Sequence, residues 1–425
     1  MAVAENSRSA RPSFAVLSLP AFRAFTLGGM LWMMGDNIEH VISYWVLFEK
    51  FESPVLGGYA VISHWAPFLL GGVYFGALAD RFDCRKLFIV SMVLFAIVSL
   101  GWAFVFWTDT LQIWQAIIFL TLHGLAGGIF SPASQLVIHD IVGGQQLTSA
   151  VRLTATSRQV SLMLGPAVGG GLLLALGPAA GIAVNALLYV PLIWWSLRQP
   201  YTGHGETTPE ERVKRPLSWG LGNALSTFKE ARSNRTIFGM ICLVGLTSLL
   251  VGNAFQAQMP EFAKSFLGHD SGLVYSALLV AGAAGAITGG LVQETIPSMS
   301  PSPRKAVGLA TAWTACILIF AAAPNYVVAL VALFISGALL ISFTSMAQAM
   351  VQLEAPADRR GRYVGLFNMS LNGLRIGSGV TVGFLGAVIG IHWSLAISAA
   401  VLILALIPIM MYVRPSRDVP RSVVG

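Results

Sequence analysis

Gly76-Ala77-Leu78-Ala79-Asp80-Arg81-Phe82-Asp83-Cys84-Arg85-Lys86 lies between two long apolar runs, Leu56 to Ala79 and Leu87 to Trp107. About 20 apolar residues in a helix cross the hydrocarbon core of a bilayer, so a short charged turn between two such runs reads as a hairpin of membrane helices. The same alternation continues in both directions. Runs near Leu27 to Val46, Ile113 to Val137, Ser157 to Leu176 and Gly181 to Leu197 complete a first set of six. A second set lies near Ile237 to Gln258, Val274 to Gln293, Ala306 to Ala322, Val327 to Val351, Val364 to Ile389 and Trp393 to Val413. The 425 residues are 55% hydrophobic and 11% charged, whereas soluble domains carry about 25% charge. Barrel strands are about ten residues long and alternate strictly, which these continuous runs do not. The expected class is therefore an all-α membrane protein of twelve transmembrane helices in two pseudo-symmetric six-helix halves.

The halves are expected at 1-197 and 236-425, joined by a cytoplasmic linker, 198-235, that carries one surface helix with Leu217, Trp219, Leu221, Leu225 and Phe228. All but three of the 26 Lys and Arg residues fall in connections on one side, Lys50 and Lys264 on the other, and Arg375 within a span. By the positive-inside rule both termini and the linker are expected in the cytoplasm of a cell whose plasma (inner) membrane holds the chain. The polar first twenty residues precede a run without a small-residue cleavage site, so the first helix is expected to be retained. The net charge of +7 is spread among these connections without an aromatic-interleaved patch, and no nucleic-acid partner is expected. Cys84 is placed in a connecting loop, with Cys242 and Cys316 in apolar runs. With no CxxC and no histidine at metal spacing, neither a disulfide nor a metal is expected. There is no phosphate-binding GxxxxGK[ST] loop and no catalytic constellation, so the chain is expected to be neither an ATPase nor any other enzyme and to need no cofactor.

The stretch from Gly76 to Lys86 resembles the signature loop of the major facilitator superfamily, Gly-x-Leu-x-Asp-Arg-x-x-x-Arg-Lys. The resemblance implies a gating loop built from Gly76, Asp80, Arg81, Arg85 and Lys86, a charge cluster that locks one arrangement of the two halves and releases another. Gly289-Gly290-Leu291-Val292-Gln293-Glu294, followed by Arg304-Lys305, is similar to a degraded second copy, as two repeated halves would carry. Pro356-Ala357-Asp358-Arg359-Arg360-Gly361-Arg362 and the run from Gly124 through Pro132 to Gly170 resemble a narrower branch, the secretion-effector exporters, which include enterobactin and macrolide efflux proteins. Gly165-Pro166-Ala167-Val168-Gly169-Gly170 resembles the antiporter motif of the superfamily, which implies a hinge or seal at Gly165, Pro166, Gly169 and Gly170. The fuller motif has glycines where this chain has Arg152 and Ser161, a departure that bears on proton antiport and not on the fold.

A charge at bilayer depth is costly, so ionisable residues inside the spans are functional candidates. Asp36, Glu39 and His40 stand at i, i+3 and i+4, on one helical face, where carboxylates and an imidazole can share a proton. Asp36 is the expected coupling carboxylate, with Glu39 and His40 nearer the outer water. Asn368, Asn372 and Arg375 form a polar stripe on the eleventh span, and both Asp36 and Glu294 are available as the acid that Arg375 needs, for structure or for substrate. The first, fourth, seventh and tenth spans line the cavity in this superfamily, which makes His123, Gln135, Asn253, Gln256, Gln348 and Arg375 cavity candidates. The superfamily's drug antiporters often carry an arginine in the fourth span. None occurs here between Leu111 and Val137, leaving His123 or Asp36 alone to handle protons. Trp32, Tyr44 and Trp45 suggest a pocket for something large and apolar, and they also suit interfacial anchoring. The expected function is proton-coupled export of a bulky amphipathic or hydrophobic small molecule (a drug, a siderophore or a similar metabolite) by a monomer in the lipid bilayer. Lipid or lysolipid uptake or flipping, and a non-transporting membrane sensor, are the alternatives.

Overall fold

A computed structural model describes residues 15–70, 72–204, 221–267, 271–295, 302–356 and 360–413. Helices account for nearly all of them, and no strand occurs among the described residues. Local signals set the helix boundaries. Proline at the first position opens Pro20–Phe51 and Pro303–Ala321, where a missing N–H is harmless. Asn234 accepts from the Thr236 and Ile237 amides at 2.9 and 3.1 Å, and Asn325 from Val328 at 3.0 Å, satisfying amides that the helix leaves unpaired. Glycines in the left-handed region, Gly143 (φ 66°) and Gly177 (φ 74°), break the long helix Ile113–Asn185.

Nine helices among the described residues are long and apolar enough to cross a membrane, and a tenth forms if Pro54–Leu70 and Tyr74–Arg81, bent by 59°, are one span. The expected twelve are reached by adding Pro20–Phe51, whose acids lower its hydropathy, and by counting Thr156–Arg198 as two. That stretch has 43 residues, enough for two passes of about 20, and is broken at Gly177. Of the linker, 205–220 lies outside the described residues, with Leu217 and Trp219, and Leu221–Ala231 is a helix. Residues 357–359 of the connection before the eleventh span lie outside them too.

In lipid, helices associate through close packing and not through hydrophobic expulsion, so small residues decide where backbones touch. A Cβ on Gly124 would lie 2.1 Å from the Ser63 carbonyl oxygen, one on Gly285 1.8 Å from that of Phe334, and one on Gly337 2.1 Å from that of Gly282. The two halves use the same device against each other, since a Cβ on Gly383 would lie 2.3 Å from Gly58 Cα.

These cross-half contacts gather at the end of the bundle that carries Glu52. There Lys264 pairs with Glu52, the Gln258 side chain donates to the Pro54 carbonyl at 2.7 Å, and Tyr275 donates to the Val41 carbonyl at 2.8 Å. One buried apolar cluster contains residues of both halves, among them Leu56, Trp65, Leu243 and Phe262. A second cluster, with Phe22, Trp32, Phe88, Phe130 and Trp195, belongs to the first half alone. The halves therefore share a core at the Glu52 end, while the first half has a core of its own toward the Asp83 end.

Glu261 sits within this seal, half-buried, with one carboxylate oxygen buried and unpaired. Burial and then the nearby Glu52 charge push its pKa up to about 7, against a smaller opposing pull from Lys264. An acid whose pKa is raised in the sealed state binds a proton on sealing, so sealing is favoured below its ordinary pKa and weakens as pH rises to about 7. The rate at which a membrane-impermeant maleimide labels Ala257→Cys, at a residue buried in the seal, divided by its rate with the unfolded chain at the same pH to remove the thiol's own titration, is expected to be higher at pH 8 than at pH 5. Glu261→Gln should flatten that dependence. Gly383→Val should raise labelling severalfold at either pH, because its side chain has no room against Gly58. Unchanged labelling in Gly383→Val would remove the glycine contact as the basis of the seal.

Candidate functional site

The loop from Gly76 to Lys86 carries an ion pair between Asp83 and Arg85. Asp83 caps the following helix through the Arg85 amide at 3.0 Å, and its two carboxylate oxygens take the Arg85 guanidinium at 3.1 and 2.7 Å. Burial alone would raise the Asp83 pKa, but the Arg85 hydrogen bonds and charge hold it below the usual carboxylate range. Arg85 also donates to the Gln199 carbonyl at 2.8 Å. Asp80 and Arg81 are each engaged, Lys86 is exposed, and Gly76 has open space where a Cβ would project. Cys84, expected in a loop, starts a helix and is fully buried, its amide bound to the Thr202 carbonyl at 2.9 Å. The chain leaving the sixth span is thus pinned onto this loop.

Gly165, Pro166, Gly169 and Gly170 lie on one helix packed against the first span. A Cβ on Gly165 would lie 2.6 Å from Asn37 Cβ and one on Gly169 3.1 Å from Ile38 Cα, while Gly170 faces Ser276 of the other half at 2.9 Å. The motif holds the backbone beside Asp36 in place and meets the second half in the same turn.

Five helices converge on a polar core. His123 lies between two carboxylates, its Nδ1 2.7 Å from Glu39 Oε1 and its Nε2 2.9 Å from Asp36 Oδ1. His40 Nδ1 stands 3.7 Å from Asp36 Oδ2. Ser99 donates to the other Glu39 oxygen, and Asn185 donates to Ser99 at 3.3 Å and to Tyr189 at 3.2 Å. The ring of His64 lies 4.7 Å from that of His40. Asp36, Glu39 and His123 are only 6%, 2% and 3% exposed, so Glu39, expected nearer the outer water, is instead among the most enclosed of the group.

The short contacts constrain the proton count. Each ring nitrogen of His123 faces a carboxylate oxygen, and each contact needs a hydrogen between lone pairs that would otherwise repel. Either His123 is an imidazolium between two carboxylates, or it is neutral beside one carboxylic acid. Both forms have one net negative charge, and moving a proton along the line converts one into the other, which is what a proton relay requires. Donor atoms of Asp36, His40, His64 and His123 also lie within 4.8 Å of one another, a mix of imidazole and carboxylate that suits transition metals. In this arrangement His123 Nε2 is spent on Asp36 Oδ1 and its Nδ1 on Glu39, so a metal would have to break the relay to take His123 as a ligand.

Arg375 makes no ion pair among the described residues. Asp36 is taken by the histidines, the Glu294 side chain lies outside the described residues, and the Arg375 guanidinium instead sits 4.6 Å above the Trp65 ring. Trp65 in turn donates to Asn253 at 3.2 Å, so two expected cavity residues meet there. Gln135 and Gln256 are exposed and Gln348 is half-buried, and among the described residues none of the three is hydrogen-bonded to the polar core. Trp32 lines no joint pocket with Tyr44 and Trp45; it packs within the first half, its ring tilted against that of Phe130 at 4.1 Å, while Tyr44 stacks on His40 and Trp45 on Tyr275. The sequence reading missed His64, Ser99, Asn185 and Asp83. His64 carried a usable signal, an ionisable side chain within an apolar span.

The chain matches the profile of the transmembrane secretion effector family over residues 11–420. It belongs to that family. It is 24% identical over 376 residues to the enterobactin exporter EntS of Shigella boydii, covering 87% of this chain and 86% of that one. It is 24% identical over 348 residues to the uncharacterized MFS-type transporter YfiS of Bacillus subtilis, covering 78% of each. A 95-residue segment is 34% identical to the putative multidrug resistance protein MdtD of Citrobacter koseri, 22% of this chain and only 19% of that relative's length. Among solved structures, the nucleoside transporter NupG aligns with a TM-score of 0.68 at 15% identity, covering 92% of this chain and 99% of that one. A bacterial homolog of the human lysosomal transporter Spinster, in its inward-facing and unoccupied conformation, aligns with a TM-score of 0.67 at 14% identity over 92% and 96%. The secretion effector chain thus has the major facilitator fold and is a membrane transporter.

His123→Leu should destabilise the protein by about 3–5 kcal/mol, because it leaves two buried carboxylates facing each other. Adding Asp36→Asn and Glu39→Gln to that variant should restore most of the loss. Thermal unfolding in detergent checks both, and a triple variant no more stable than His123→Leu alone would show that His123 does not neutralise the two acids.

Proposed function

We propose that this chain is a proton-coupled exporter of an amphipathic small molecule, with the line Asp36–His123–Glu39 as its proton carrier. The observation behind this reading is the enclosure of that line between the first and fourth spans, where a carboxylate and an imidazole exchange a proton out of contact with lipid. Positive-inside counting puts the Asp83 end in the cytoplasm and the Glu52 end outside. The described arrangement, sealed at Glu52, is then closed to the outside and stands ready to take cargo from within. Protonation of the line from outside and release inside would favour opposite arrangements of the halves, which is how a proton gradient drives alternating access. Export also agrees with the names of two relatives, an enterobactin exporter and a putative multidrug resistance protein.

The test is efflux of fluorescent compounds from cells lacking their major pumps, at matched membrane abundance. Export should appear with the intact chain, collapse with a protonophore, and fall at least tenfold in Asp36→Asn and Glu39→Gln. Export that survives both the protonophore and Asp36→Asn would remove proton coupling through this line, and movement of lipid or lysolipid alone would replace the exporter by a flippase.

A further inference from the structure

Three histidines from three helices meet around Asp36. His40, one turn further along the first span, has its Nδ1 3.7 Å from Asp36 Oδ2, and His123 on the fourth has its Nε2 2.9 Å from Asp36 Oδ1. His64, on Pro54–Leu70, has its ring 4.7 Å from that of His40 and 5.5 Å from that of His123. One donor atom from each of the four residues lies within 4.8 Å of the other three. His64 is 8% exposed, and its Nδ1 is buried with no hydrogen-bond partner among the described residues. Buried ring nitrogens are ordinarily paired, so this one points to a partner that the protein itself does not supply. Asp36, His64 and His123 are buried, and the His40 side chain, at 18% exposure, gives the way in.

His123 is already oriented as a metal ligand. Its Nδ1 stands 2.7 Å from Glu39 Oε1, the carboxylate contact that a metal-bound imidazole makes through its other nitrogen to fix its tautomer. Glu39 is in turn held by Ser99, and Ser99 by Asn185. With Nδ1–H donated to Glu39, Nε2 carries a lone pair, and the space between it and Asp36 takes either a hydrogen or a metal. Ligands about 2.0–2.1 Å from zinc stand roughly 3.3 Å apart in a tetrahedron. The Asp36–His40 spacing of 3.7 Å is close to that, and the wider ones, up to 4.8 Å, close by rotation of side chains. Three imidazoles and one carboxylate suit zinc and its neighbours, whereas calcium and magnesium are held by shells of oxygen.

We propose that Asp36, His40, His64 and His123 form a four-coordinate site for a divalent transition metal ion of the zinc type, in which the metal takes the place of the proton between His123 and Asp36. The exchange balances. The hydrogen on the Nε2–Oδ1 contact leaves as H+, bonds from Nε2 and from the Asp36 carboxylate to the metal replace it, and no electron is transferred. The line of two carboxylates and one imidazole, with one net negative charge, becomes neutral when it gives up one proton and gains a divalent ion, so no uncompensated charge stays buried. The site stands on geometry and not on the exporter reading. Where the chain also couples export to protons, metal and coupling proton exclude each other at Asp36, and a bound metal halts export.

The full-length protein, purified on a tag without histidine and placed in phosphatidylcholine nanodiscs, is titrated with Co2+ and followed by visible absorption. One Co2+ per chain should bind with the intense bands of four-coordinate cobalt, and Zn2+ should displace it and bleach them. His40→Phe and His64→Phe should each weaken Zn2+ binding at least tenfold. Glu39→Gln, which touches no metal, should weaken it about tenfold with the cobalt bands kept. His64→Cys keeps a ligand and should add a thiolate-to-cobalt band that the intact chain, with its three cysteines, lacks. That signal is gained and not lost, so it tests the site even where a phenylalanine variant does not fold. Absence of saturable Co2+ binding, binding indifferent to His64→Phe, or absence of the new band in His64→Cys overturns the site. At pH 8, where ordinary imidazoles are already neutral, Zn2+ should release about one proton from the intact chain, read with an indicator dye in weak buffer. Binding without that release overturns the exchange. Binding is read without transport, so a chain that fails to bind metal but shows protonophore-sensitive efflux loses this site alone. One that binds metal and exports nothing loses the exporter reading alone.

Discussion

A single imidazole between two carboxylates sets the terms for the interior of the first half. Asp36 and Glu39 are three residues apart on one helix, and two carboxylates so close in a low-dielectric bundle cannot both stay ionised without a cation or a shared proton. His123 meets that requirement from a second helix, which fixes the distance between the first and fourth spans. Ser99 from a third helix donates to the remaining oxygen of Glu39, and Asn185 from a fourth donates to Ser99. The packing of at least four helices therefore answers to one proton-sharing line.

That line demands close helices, and the glycines provide them. Gly165 and Gly169 let the fifth span lie against the first within a turn of Asp36, and Gly124, one residue after His123, lets the fourth span touch the backbone of the second at Ser63. The second contact also brings His64, the residue after Ser63, up to the relay. Small residues here are placed by the chemistry they enclose as much as by helix packing in general.

Much of this was legible in the sequence. Apolar runs of membrane length and the Gly76–Lys86 turn specify the fold, because lipid leaves a chain of this composition little besides helices. The i, i+3, i+4 spacing of Asp36, Glu39 and His40 pointed to the relay, since those residues share a helix face whatever the tertiary structure. What could not be read is everything that depends on two helices meeting. His123 was one of several polar residues in cavity spans until the fourth helix was set against the first, and His64 lay in a span with no periodic partner. The pairing of Asp83 with Arg85 follows from helix capping at Cys84, a local effect that the superfamily pattern does not encode.

The two halves, similar in helix pattern, are unlike in charge. The buried acid–imidazole line belongs to the first half alone, while the ionisable group described at comparable depth in the second is Arg375, which lies on Trp65 of the first. A repeat that kept its proton chemistry in both halves could change protonation without changing the relation between them. With the relay in one half, a change of charge at Asp36 acts first on that half, and it reaches the second only through the contacts that join the two, among them Glu52 with Lys264, Gly58 with Gly383 and Val41 with Tyr275. Val41 lies two residues after Glu39 on the same helix, so a shift of the first span that follows a proton moves one of those contacts directly.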